Sequence, residues 1–183
     1  MRKPLPSSVA VHDVVEPLAG PARVDPVPLP DPPPADVVLG YVSESGELGA
    51  LWQLDRALAV TLVSRMLVMP ADRVAEQAVA WSEDPMVDAL LEAGNILGTL
   101  ANGPELAHVR VGPVWRREGA TWQLLTVSGV LASTEFPPCP PAILGESAAF
   151  AVAVGDAPTA RAMFSWLAPD SVYHPALSYL DTS

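Results

Sequence analysis

Residues 37–70 read VVLGYVSESGELGALWQLDRALAVTLVSRMLVMP, and the fold turns on them. Val37-Val38-Leu39-Gly40-Tyr41-Val42 is rich in β-branched residues and reads as a strand. Ser43-Glu44-Ser45-Gly46 is a turn signal, and Leu48 to Leu54 is a second strand. Two strands joined by so short a turn make an antiparallel hairpin. Asp55 then offers an N-cap for a helix from Arg56 to about Val68. Its apolar positions Leu58, Leu62, Met66 and Met69 recur at helical spacing, and Pro70 stops it.

Downstream, 71–81 offers a short helix over 72–79. Ser82-Glu83-Asp84-Pro85 is a start signal, with acidic residues and a proline at the first turn. The next helix runs from about Pro85 to about Leu100, ended by Asn102-Gly103-Pro104. Beyond it the pattern turns to β: 109–115, 121–127 and 148–154 read as strands, with 131–136 continuing one of them. A last helix is expected over 158–167.

Upstream, ten of the 21 prolines precede Gly40: Pro4, Pro6, Pro17, Pro21, Pro26, Pro28, Pro30, Pro32, Pro33 and Pro34. Such a run lacks backbone donors and φ freedom, and polyproline II is its natural state. Val11, Val14, Val15 and Leu18 suggest one short helix before it. The expectation is a proline-rich arm over 1–36, a compact domain over 37–168 and a tail over 169–183. The order hairpin, helices, then further strands favours an α+β fold, an antiparallel sheet covered on one face by helices. No glycine-rich strand-to-helix turn speaks for a doubly wound nucleotide fold, and no internal repeat is visible.

The bulk numbers narrow the function. Half the residues are hydrophobic, enough for a core, while 17% are charged and the net charge is −11. That balance excludes nucleic acid and an anionic membrane surface as partners. Without an h-region or a long apolar run, a cytoplasmic location is expected. The single cysteine, Cys139, sits in Phe136-Pro137-Pro138-Cys139-Pro140-Pro141 and reads as a small apolar residue in a turn.

The segment that carries chemistry is Asp88-Ala89-Leu90-Leu91-Glu92-Ala93-Gly94-Asn95-Ile96-Leu97-Gly98-Thr99. Asp88, Glu92 and Asn95 are spaced i, i+4, i+7, which puts them on one helical face. A carboxylate there can grip a partner's cation. A carboxamide can hold a water by both donor and acceptor. Phosphoryl hydrolysis asks for little beyond an oriented, in-line water and charge compensation. The same stripe is also what an ordinary amphipathic helix presents to solvent.

The order Asp, three residues, Glu, two residues, Asn resembles the signature helix of the CheC/CheX family of chemotaxis phosphatases. "LLEAGNILGTLANG", the preceding "GYVSESGELGALWQLDRALAVTLVSRML" and the following "VRVGPVWRREG", with Pro113 as the downstream proline, resemble that family over roughly residues 37–130. The resemblance implies a CheC/CheX-like α+β fold and hydrolysis of the aspartyl phosphate of a response regulator. Asn95 would orient the attacking water, Glu92 would pair with a lysine on the regulator, and Asp88 would support them. The Mg²⁺ would be carried by the partner receiver domain, so the chain would need no cofactor of its own. With no second Glu-x-x-Asn, the plan is the single-site, CheX-like one. Exposed sheet edges in that family also allow a homodimer. A second class of function on the same fold is a non-catalytic binding or adaptor module in signalling or motility.

Other residues carry less. His12, His108 and His174 lack ligand spacing, so no metal site is expected. Ser128 and Ser133 occupy no nucleophile elbow. Trp52, Trp81, Trp115, Trp122 and Trp166 read as core and rim, and Arg116-Arg117 as a solvated strand end.

Overall fold

The computed structural model describes residues 4–31, 34, 36–44, 47–70, 73–74, 84–102, 108–126, 129–134 and 144–168. Among them three α-helices and eight strands are found: α1 (Ser8–Ala19), β1 (Ala22–Val27), β2 (Val37–Ser43), β3 (Leu48–Leu54), α2 (Arg56–Met66), α3 (Asp84–Gly98), β4 (Val109–Glu118), β5 (Thr121–Thr126), β6 (Gly129–Thr134), β7 (Leu144–Val154) and β8 (Ala160–Leu167). A 3₁₀ turn, Thr99–Ala101, extends α3. The strands form one sheet in the order β1-β7-β8-β3-β2-β4-β5-β6, with every neighbouring pair antiparallel.

The hairpin pairs as expected, Val37 opposite Leu54 and Tyr41 opposite Ala50. It lies at the centre of the sheet, and β2 is buried along nearly its whole length. Alternation assigns the faces. Val37, Leu39, Tyr41, Trp52, Leu54, Phe150, Phe164 and Trp166 join α1, α2 and α3 in the main core. Val38, Val42, Leu51, Trp115, Trp122 and Leu124 form a second cluster on the opposite face. The three helices pack against one another and against β4, β7 and β8.

Pro113 is buried inside β4, where a proline would ordinarily break a ladder. It sits at a bulge: Leu39 pairs with Val114 but Tyr41 pairs with Val111, so β4 carries one extra residue.

The expected N-terminal arm is corrected. Residues 4–27 fold onto the domain. Val11, Val15 and Ala19 of α1 are buried in the main core, and β1 extends the sheet by pairing with β7. Ser7 caps α1, its Oγ accepting from the Ala10 N–H at 3.1 Å. The Trp166 indole donates to the Pro4 carbonyl at 3.0 Å, pinning the chain before the helix. The strand tolerates Pro26 because it is an edge. The Pro21 carbonyl accepts from Gly155 N–H at 2.8 Å, so odd-numbered residues turn their backbone groups to β7. Pro26 faces the open side, where its missing N–H removes no ladder bond and blunts the edge.

The helix expected over 158–167 is also corrected: these residues form β8, held between β7 and β3. Of the stretch 131–136, expected to continue a neighbouring strand, residues 131–134 are described and do not continue one. Gly129–Thr134 is a strand of its own, paired with β5. Of the short helix expected over 72–79, only Arg73 and Val74 are described, both helical. Cys139 and the tail from 169 lie outside the described residues.

Candidate functional site

The residues singled out in sequence meet on α3. Asp88, Glu92 and Asn95 are all exposed, and Thr99 continues the same stripe. The opposite side of the helix is apolar: Met86, Leu90, Ala93 and Leu97 are buried. The Asn95 Nδ2 lies 3.5 Å from Glu92 Oε2, a long contact that leaves the carboxamide's other hydrogen-bonding positions facing solvent. Asp88 stands one turn before Glu92 on the same face. The arrangement is an open carboxylate–carboxamide surface, suited to a macromolecular partner rather than to a small molecule enclosed in a pocket.

Two glycines bring this helix close to the sheet. A Cβ at Gly94 would lie 3.1 Å from Val111 Cγ2, and one at Gly98 would lie 2.7 Å from Tyr41 Cε1. Being i and i+4, they open one groove along the helix, filled by Val111 and Leu39 at Gly94 and by the Tyr41 ring at Gly98. The Tyr41 hydroxyl donates to the Gly94 carbonyl at 2.9 Å. Burial pushes the phenol pKa well above its ordinary value, so Tyr41 is held neutral and donating.

Past α3, the Asn102 side chain closes the connection to β4. Its Nδ2 donates to the Val109 carbonyl at 3.0 Å, and its Oδ1 accepts from the Val109 N–H at 2.7 Å. This two-way clasp copies a β-bridge and fixes where β4 starts under the helix. In the sequence Asn102 reads only as part of a helix stop.

A second polar cluster lies at the N-terminus of α2. Asp55 occupies the cap position, but its carboxylate accepts from Arg161 instead, from the backbone N–H at 2.9 Å and from Nε at 3.2 Å. The Arg56 N–H is taken by Asp36 Oδ2 at 3.1 Å. Arg116 corrects the expectation of a solvated strand end. It is buried, donates from Nη2 to Gln123 Oε1 at 2.7 Å and lies 3.7 Å from Glu118. Burial lowers its pKa, Glu118 opposing that effect and Arg56 adding to it. Arg117 is exposed.

The remaining candidates separate cleanly. Trp52, Trp115, Trp122 and Trp166 are core residues, and Trp81 lies outside the described residues. His12 faces solvent beside Asp13 and Glu16, and His108 is exposed; His174 and Ser128 lie outside the described residues. Ser133 is exposed on β6. Among the described residues no group of three or more His, Cys, Asp or Glu could hold a metal ion. No described helix is long and apolar enough to cross a membrane.

Fold and stripe together define an α+β domain, an antiparallel sheet covered on one face by helices, that presents Asp88, Glu92 and Asn95 on an exposed helix. The chain is similar in structure to FliY of Thermotoga maritima, with a TM-score of 0.55 at 14% identity over 94% of this chain and 89% of that one. More distant matches are the chemotaxis protein CheX from Vibrio vulnificus (TM-score 0.39, 13% identity, 86% of this chain and 94% of that one) and the FliM middle domain from H. pylori (TM-score 0.39, 8% identity, 96% and 91%). No protein-family model and no curated protein matches the chain.

Proposed function

We propose that this chain is a phosphatase of a phosphorylated response-regulator receiver domain, with its site on the exposed stripe of α3. The observation that carries the reading is the convergence of Asp88, Glu92 and Asn95 on one solvent-facing side of a helix whose other side is locked onto the sheet. In this reading the receiver brings the aspartyl phosphate and its Mg²⁺, the chain brings no cofactor, and the regulator's lysine docks on Glu92. Asn95 accepts a hydrogen bond from the attacking water through Oδ1 or donates to it through Nδ2, holding it in line with the phosphorus. Asp88 adds negative charge beside Glu92, strengthening the hold on a cation.

The test is phosphate loss from a Mg²⁺-loaded phosphoreceiver with the chain present. The reading expects faster loss, reduced at least about 100-fold by Asn95→Ala with the fold intact, as removing a positioning group does. Glu92→Ala is expected to raise the receiver concentration needed. An unchanged phosphoreceiver lifetime across several receivers would overturn the reading.

A second reading, a non-catalytic adaptor on the same fold, is favoured by one feature: the net charge of −11, which repels an acidic phosphorylation site at long range. Receiver binding that survives Asn95→Ala and never accelerates phosphate loss would select it.

A further inference from the structure

We propose that Tyr41 is the positioning residue of the α3 stripe, setting through Gly94 the direction in which Asn95 points. Its catalytic consequence rests on the phosphatase reading; its structural content does not.

Asn95 is exposed and has one long side-chain contact, to Glu92 on the same helix. Among the described residues nothing on the solvent side fixes its aim, so the aim is inherited from the rotation of α3 about its own axis. A carboxamide sits roughly 6 Å from that axis, and a rotation of about 10° therefore displaces it by about 1 Å. Displacements of that size matter for an in-line water and hardly matter for an ion pair, whose energy falls only slowly with distance.

The rotation is set from below, and Tyr41 does it twice. Its hydroxyl holds the carbonyl of Gly94, the residue immediately before Asn95, at 2.9 Å. Its ring edge fills the space that a Cβ at Gly98 would need, one turn further on. A Cβ at Gly94 would meet Val111 at 3.1 Å and Leu39 at 3.6 Å, so the glycine lets the helix sit close against both. Tyr41 is itself immobile: it is fully buried on the central strand β2. A directional bond and a steric stop, from one side chain to two points of one helix, fix an angle that apolar packing alone would leave broad.

The experiment uses the full chain with Tyr41→Phe, which keeps the ring and removes the bond, and Gly98→Ala, which keeps the bond donor and displaces the ring. In the phosphoreceiver assay kcat is expected to fall about tenfold in each, with KM within about twofold of the parent, because Glu92 docking tolerates the displacement. A second readout is independent of activity. The chain has two asparagines, Asn95 and Asn102, so with ¹⁵N-asparagine labelling their side-chain amide signals stand apart from those of the glutamines. Both variants are expected to shift the Asn95 pair and leave the Asn102 pair in place. If the parent accelerates phosphate loss but both variants match it, the positioning role is overturned and the phosphatase reading stands. If the parent has no activity, the phosphatase reading fails alone, and the amide signals decide: an Asn95 pair unmoved in both variants overturns the positioning role.

Discussion

Tyr41 has a consequence for stability as well as for geometry. A tyrosine in the unfolded chain ionises near pH 10, whereas burial raises the folded phenol well above that. Above about pH 10 the unfolded state therefore binds fewer protons than the folded one. The contribution of the neutral phenol is fully present below that pH and is lost as pH rises toward the folded pKa. The slope approaches about 1.4 kcal/mol per pH unit for one proton. Denaturant midpoints measured for the parent and for Tyr41→Phe should run parallel below about pH 9 and diverge above about pH 10, the parent falling faster. Parallel curves throughout would mean that Tyr41 titrates freely in the fold. Residue-scale partnerships of this kind are where sequence reading stops. Asp88, Glu92 and Asn95 are legible because helical periodicity is local, but Tyr41 and Gly94 are 53 residues apart. Asp55 shows the same limit: its place at the start of α2 is readable, its preference for Arg161 over its own helix is not.

At the level of elements, the legible pieces were those with both a period and a terminator. β2, β3, α2, α3, β4 and β5 start and stop close to where turn residues, caps and prolines put them. In β8, Ala160, Met163, Phe164 and Leu167 recur at helical spacing, yet all are buried in a strand flanked on both sides. An apolar run of that length has no period of its own when both faces are covered. The end of α2 gives an element-scale prediction. Leu67 closes the helix, Met69 N–H bonds the Ser64 carbonyl at 2.9 Å, and Val68 N–H bonds the Arg65 carbonyl at 3.1 Å. That is a Schellman motif, whose intervening residue must be left-handed and is usually glycine. Here it is Val68, at φ 52 and 86% exposed. A β-branched residue in that conformation costs about 1–2 kcal/mol, and its side chain contributes little buried area in return. Val68→Gly should raise stability by about 1 kcal/mol, read as a higher denaturant midpoint at unchanged slope. A loss would mean that the valine contributes through contacts worth more than the strain.

For the whole molecule, the decisive fact is that the segment rich in proline is part of the fold. An antiparallel sheet with helices on one face needs that face closed, and α1 supplies the side nearest β7 and β1. Nothing local in the sequence shows this, because proline reads as a breaker wherever it stands. In the fold, Pro26 sits where the edge has no N–H to give, and the residues after β1 cross from the sheet's edge to its centre. Three strands, β7, β8 and β3, lie between β1 and β2, a span of about 19 Å. Asp36 receives the crossing chain: its N–H bonds the Leu54 carbonyl, its carboxylate holds the Arg56 N–H and its carbonyl accepts from Arg117 N–H. A tethered arm and a docked layer predict different responses to one substitution. Val15 is 2% exposed on the core side of α1. On an arm in solvent, Val15→Asp would change stability by no more than about 0.5 kcal/mol. In the docked helix it buries an unpaired carboxylate against Val11, Ala19 and the sheet, which should cost more than about 3 kcal/mol. The chain should then show a lowered denaturant midpoint for the whole domain, in a single transition, because α1 shares its core with α2 and α3. A local loss of helix with the main transition unmoved would return residues 4–27 to the status of an appendage.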